Sequence, residues 1–123
     1  MVKMVYDAIN VGEGFKKDYR LRDQATAAAV STMSNIAEGF SRHSNKEFIQ
    51  FLYISKSSAA EVQSIFYVAL DQGYVDRGIF DAVYLQADKV SQIDSGLIKY
   101  LNSRQRNKRY NPTNAINEQT QRR

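Results

Sequence analysis

The first 111 residues of this chain contain no proline, and its single proline, Pro112, stands close to the end of the 123 residues. A proline inside a helix removes a backbone hydrogen bond and costs about 3 kcal/mol. So long a run without one leaves room for long, uninterrupted helices. Glycine supplies the punctuation: Gly12, Gly14, Gly39 and Gly73 fall where the apolar periodicity stops. The pattern predicts an all-α chain of four helices.

The first helix is expected from Val2 to Val11, with Val2, Val5, Tyr6 and Ile9 on one face and Gly12 and Gly14 breaking it. The second runs from Tyr19 to Glu38, with Asp18 as N-cap. Its stripe is Leu21, Ala25, Ala28 or Ala29, Thr32 and Ile36, and Gly39 is expected as a left-handed residue ending it. The third, from Asn45 to Gln72, is the most regular. Phe48, Leu52, Ser55, Ala59, Val62, Phe66 and Ala69 alternate spacings of four and three, the packing seam of a bundle. Gly73 closes it in a Schellman ending with Tyr74 and Val75 alongside, and its length comes to about 42 Å. The fourth helix is placed from Asp76 to Ser103, with Val83, Ala87, Val90, Leu97 and Leu101 on its seam and Phe80, Ile93 and Ile98 flanking.

The third helix is apolar on a second face as well. Phe51, Ile54, Ile65 and Val68 lie outside its seam, and Ile49, Tyr53 and Tyr67 widen the coverage. One stripe of about 100° is enough for a helix in a monomeric bundle. A broader coat predicts a homo-oligomer with these residues in its interface.

The stretch SNIAEGFSRHSNKEF, residues 34–48, gathers Asn35, Glu38, Arg42, His43 and Glu47 within a few positions. Read as architecture, it is a corner. Glu38 and Gly39 end one helix, Arg42 folds back onto Glu38, and Ser44 with Glu47 has the spacing of a capping box that starts the next. No catalytic role is expected. His43 is the only histidine and there is no cysteine, so neither a thiolate site nor the Glu-x-x-His pair of a di-iron bundle is available. Ser55, Ser57 and Ser58 are accounted for by close helix packing. No phosphate loop, nucleophile elbow or dinucleotide fingerprint occurs, and no cofactor or metal is expected.

Charge divides the chain. Residues 1–103 carry eleven basic and twelve acidic side chains, a net −1, whereas residues 104–123 carry six basic and one acidic, a net +5. The segment RQRNKRYNPTNAINEQTQRR is nearly free of aliphatic residues and cannot offset its own ordering entropy. A four-helix domain over 1–103 and a disordered basic tail over 104–123 follow. Arg104, Arg106, Lys108 and Arg109, with Tyr110 as a stacking ring, suit phosphate and base contact. Lys16, Lys17, Arg20 and Arg22 form a second basic cluster at the start of the second helix. No apolar run approaches a membrane span and no signal-peptide pattern opens the chain, which predicts a cytoplasmic protein.

Across SNIAEGFSRHSNKEFIQFLYISKSSAAEV the chain resembles the bacterial four-helix-bundle proteins encoded by ribosomal RNA intervening sequences. Their relatives include the accessory variability determinant of diversity-generating retroelements. The matching pieces are Ala29 to Ser31, Ser34 to Gly39, Ser41 and Arg42, Glu47 to Ile54, Ser57 to Glu61 and Gly73 to Val75, within about residues 16–100. The resemblance implies an antiparallel up-down four-helix bundle assembled into a ring-like homo-oligomer, typically a pentamer, with basic surface for nucleic acid. In the retroelement branch it implies a partner of a reverse transcriptase and its template RNA. Met33 stands where the family commonly has proline, and Thr26 and Ala27 stand where many members have arginines. The expected function is therefore a non-catalytic, oligomeric accessory that binds RNA and a reverse transcriptase. The alternative is a structural or protein-binding oligomer without nucleic acid.

Overall fold

The computed structural model describes the backbone of residues 1–110 and the side chains of residues 1–104. Among the described residues five helices follow one another: α1 (Val2–Asn10), α2 (Glu13–Lys17), α3 (Tyr19–Phe40), α4 (Asn45–Asp71) and α5 (Arg77–Tyr110). No strand occurs among the described residues. α4 packs against α3 and against α5, while α1 and α2 pack against the start of the assembly, α1 reaching both α3 and α5.

The helix boundaries are written in side-chain chemistry. The Asp18 carboxylate accepts from the Leu21 amide at 3.2 Å and caps α3. The Ser44 hydroxyl accepts from the Glu47 amide at 3.1 Å and caps α4, so the Ser44 arm of the expected capping box is formed. Asp76 does the same for α5 through the Ile79 amide at 2.8 Å. At the far end of α4, Gly73 has φ +71°, and its amide donates to the Leu70 carbonyl while the Tyr74 amide donates to that of Ala69. That is the Schellman pairing expected from the sequence.

Gly39 behaves otherwise. It does not take the left-handed conformation expected of it; among the described glycines only Gly73 has a positive φ. α3 continues through it to Phe40 and ends at Ser41, whose hydroxyl donates to the Glu38 carbonyl at 2.7 Å. Gly39 is buried, and a Cβ there would lie 2.5 Å from the Phe48 ring and 3.2 Å from Phe51 Cβ. Its smallness lets α4 approach α3.

The helix α2 was not expected. It begins directly after Gly12 and runs through Gly14, the second expected breaker, and it delivers Phe15 to the core at 1% exposure. The Phe15 ring meets Phe66 edge-on at 5.8 Å and stacks on Tyr74 at 5.7 Å.

The core falls into two clusters. The first joins α1, α2 and the neighbouring halves of α3, α4 and α5 around Val5, Ile9, Phe15, Ala25, Ala28, Val62, Phe66 and Val83. The second draws on α3, α4 and α5 only, with Leu52, Ile98 and Leu101 buried and Ile36, Phe48, Ile49 and Leu97 packed on them. Between the two lies a polar layer. Ser31 and Ser58 share a 2.8 Å hydrogen bond across α3 and α4, and Asn35 Nδ2 donates to the Ser31 carbonyl at 2.8 Å and to its hydroxyl at 3.0 Å. Across α4 and α5, Ser55 donates to Asp94 Oδ2 at 2.7 Å, with both residues fully buried.

The seam of α4 is as expected from Leu52 to Ala69, all of it buried. Two other expectations are corrected. Ile65, assigned to an oligomer interface, belongs to the first core cluster, because α4 has neighbours on two sides and its breadth is partly used within the chain. Ile93, expected to flank the seam of α5, is exposed, and Asp94 occupies the buried position beside it. α5 also continues as a helix past the expected end at Ser103 to Tyr110. Residues 111–123, and with them the rest of the tail, lie outside the described residues.

Candidate nucleic-acid interface

The corner after α3 converges on no reaction centre. Arg42 pairs with Glu38 one helical turn back and lies over the Phe51 ring, 4.8 Å from its centroid. Both charged groups are open to solvent over a third to a half of their surface, and surface pairs of this kind contribute at most about 1 kcal/mol. Asn35 turns inward to the polar layer, away from Glu38 and Arg42. His43 is exposed. Among the described residues no group of His, Asp and Glu side chains is placed to hold a metal ion.

The basic cluster at α2 and α3 is partly spent locally. Lys17 lies 3.8 Å from Glu13. Arg22 pairs with Asp23, donates to the Lys16 carbonyl at 3.3 Å and covers the Tyr19 ring. Lys16 and Arg20 are exposed and make no ion pair among the described residues. Asp18, beside them, accepts from the Tyr74 hydroxyl at 2.9 Å, a bond that raises the Tyr74 pKa.

A stronger positive surface develops along the second half of α5. After Asp88 the only acid on this helix is Asp94, which is buried, so the exposed charges are Lys89, Lys99 and Arg104, with Arg106, Lys108 and Arg109 following in the sequence. Arg104 donates to the Tyr100 hydroxyl at 3.0 Å and lies 5.8 Å from the centre of its ring. The side chains of Arg106, Lys108, Arg109 and Tyr110 lie outside the described residues; their backbone continues α5.

α4 and α5 border a groove of about 280 Å³ lined by Tyr53, Lys56, Ser95, Ile98, Lys99 and Asn102. Lys56 and Ser95 each follow a member of the buried Ser55–Asp94 pair, so the groove lies over the polar layer. Burial raises the Asp94 carboxyl pKa above its usual range, against the hydrogen bond from Ser55 and the charge of Lys56. Lys56 and Lys99 were not singled out in the sequence, because each stands alone in it, and Tyr53 was read only as part of the broad apolar coat of the third helix. Only the pairing of α4 with α5 collects them.

Of the residues assigned to an oligomer interface, Ile54 is 47% and Val68 45% exposed, while Phe51 is half-buried under Arg42. α3 adds Val30, Met33 and Phe40, exposed apolar residues spaced three and seven apart with Ala37 between the last two.

A family model described as 23S rRNA-intervening sequence protein matches residues 1–96. Among solved structures, the chain is similar to a protein of unknown function from the S23 ribosomal protein family of Bacteroides thetaiotaomicron. The two are 17% identical with a TM-score of 0.69, over 80% of this chain and 94% of that one. At that identity the likeness speaks for the helical fold alone. No curated protein matches the chain.

Proposed function

The chain belongs to the 23S rRNA-intervening sequence protein family, and from that membership we propose that it is a non-catalytic, oligomeric RNA-binding accessory protein. The observation that carries this reading is the second half of α5, where every exposed charge is positive and the helix leads into Arg106, Lys108 and Arg109. The helices run up and down, antiparallel, as the short α3–α4 and α4–α5 connections favour. The protomers assemble into a ring, a pentamer, through the apolar residues left exposed on α3 and α4. The basic tail of each protomer contacts phosphate weakly, and the ring links these contacts into one strong attachment. Its partners are structured RNA and the reverse transcriptase of a diversity-generating retroelement, in the cytoplasm.

The test is RNA binding across a salt series. It compares the full chain, a chain ending after Ser103, and a full-length variant with Arg104, Arg106, Lys108 and Arg109 changed to Gln. The full chain binds with an affinity that falls steeply with salt, and both variants lose most of it. The slope reports engaged phosphates at about 0.7 each on single strands. Absence of binding by the full chain at low salt overturns the proposal.

A second reading, a protein-binding or structural oligomer without nucleic acid, is favoured by the net −1 of residues 1–103 and by Ile54, Val68, Met33 and Phe40 standing exposed. An intact oligomer that fails to bind RNA selects it.

A further inference from the structure

The groove between α4 and α5 gathers, in one concavity, cations that are unpaired among the described residues. Lys17, Arg22, Arg42 and Arg77 are all engaged by neighbouring carboxylates. Lys56 and Lys99, in the groove, make no ion pair among the described residues, and the Asn102 amide and the Tyr53 ring make no hydrogen bond or ring contact there. Two cations, an amide and an aromatic face thus border one concavity that contains no carboxylate. Asp94, next to Ser95 in the chain, is buried and bonded to Ser55.

About 280 Å³ lies at the lower edge of the roughly 300–1,000 Å³ typical of small-molecule sites, and the groove is open to solvent. It suits one unit of a polymer whose remainder runs over open surface. The chemistry of the lining matches a nucleotide. An aromatic face accepts an unpaired base of any identity by stacking, and lysines at its margin take the flanking phosphates. A base held in a duplex cannot present its face, so the ligand is single-stranded.

We propose that the α4–α5 groove seats one nucleotide of single-stranded RNA, its base stacked on Tyr53, its flanking phosphates on Lys56 and Lys99, and its base edge within reach of the Asn102 amide. This rests on the RNA-binding reading above and adds to it a place where the strand is gripped by a base as well as by charge.

The experiment titrates a labelled single-stranded RNA of about a dozen nucleotides, long enough to cover a site of the usual size, and the same sequence as a duplex. The proteins are the full chain and four full-length variants: Tyr53→Ala, Tyr53→Phe, Lys56→Gln with Lys99→Gln, and Arg104→Gln with Arg106→Gln. Tyr53→Ala weakens single-strand binding roughly five- to a hundred-fold without changing the salt slope, the size of one lost base stack. Tyr53→Phe binds as the unaltered chain does. The two-lysine variant lowers the slope by about 1.4, two phosphates at about 0.7 each. Duplex binding does not respond to Tyr53→Ala. If Tyr53→Ala binds the single strand normally, or if it weakens both ligands equally, the groove proposal falls. In that case loss of binding by the Arg104 and Arg106 variant still upholds the broader reading. If the unaltered chain binds neither RNA, both fall.

Discussion

Ser55 on α4 donates a 2.7 Å hydrogen bond to Asp94 on α5, and the second carboxylate oxygen of Asp94 has no partner among the described residues. A carboxylate in so dry a place keeps its proton better in the folded chain than in the unfolded one, since burial disfavours the charged form. The sign of the resulting pH dependence follows. The contribution of Asp94 to stability is fully present below the unfolded carboxylate value of about 3.9 and is lost as pH rises through its raised folded value.

Asp94→Asn removes that ionisation. Relative to the unaltered chain, the variant therefore gains stability as pH rises from about 4 toward neutrality, the window above the unfolded carboxylate value. Urea unfolding of both proteins at several pH values reads the difference directly, and a gap that does not widen with pH would show that Asp94 is no more acidic unfolded than folded. Ser55→Ala has the opposite character. It leaves both carboxylate oxygens without a donor and costs about 1–3 kcal/mol at neutral pH.

Gly39→Ala and Gly12→Ala separate two uses of glycine. The first puts a methyl 2.5 Å from the Phe48 ring. Overpacking of this kind costs about 1–3 kcal/mol, more than the helix propensity of alanine returns at about 1 kcal/mol. A Cβ at Gly12 meets nothing within 4 Å, and its backbone is extended, which any residue adopts. That substitution is neutral or stabilises by up to about 1 kcal/mol. Thermal unfolding distinguishes them: Tm falls for Gly39→Ala and holds or rises for Gly12→Ala.

Phe15→Ala tests whether the short helix α2 is an ornament or part of the core. The ring is almost wholly buried between Phe66 and Tyr74. Its loss costs about 3–5 kcal/mol, a large share of the 5–15 kcal/mol by which a domain is usually stable. A variant that unfolds less than about 1 kcal/mol more easily would place α2 outside the cooperative unit.

Asp18→Ala removes two bonds at once, the cap on the Leu21 amide and the acceptor of the Tyr74 hydroxyl. Ser44→Ala removes only a cap, which costs about 1 kcal/mol. Asp18→Ala is therefore the more damaging, and it returns the Tyr74 hydroxyl toward its ordinary pKa, a change that absorbance titration of the tyrosines detects.

What the sequence disclosed, and what it withheld, follows from the range of the forces involved. Caps at Asp18 and Ser44, the Schellman turn at Gly73 and the seam of α4 depend on residues within one or two turns of each other, and all were legible. Asp94 was concealed by its polarity. Continuing the alternation of four and three from Val83 and Ala87 through Val90 reaches Asp94 and then Leu97 and Leu101, yet an acid on an apolar seam is easily passed over. Only Ser55, thirty-nine positions away, makes the burial tolerable. Gly39 misled for a related reason: a helix end and a close helix contact both ask for glycine, and Phe48 decides between them across the corner. α2 is too short to have a period at all.

The polar layer between the two core clusters has one more consequence. Side chains in the first cluster and side chains in the second share few neighbours, and substitutions at sites without shared partners combine nearly additively. Changes near Leu52, Ile98 and Leu101, at the end that carries the groove and the basic half of α5, are thus insulated from the packing around Phe15 and Phe66. Substitutions on the groove surface are therefore expected to leave the fit of the opposite end unchanged.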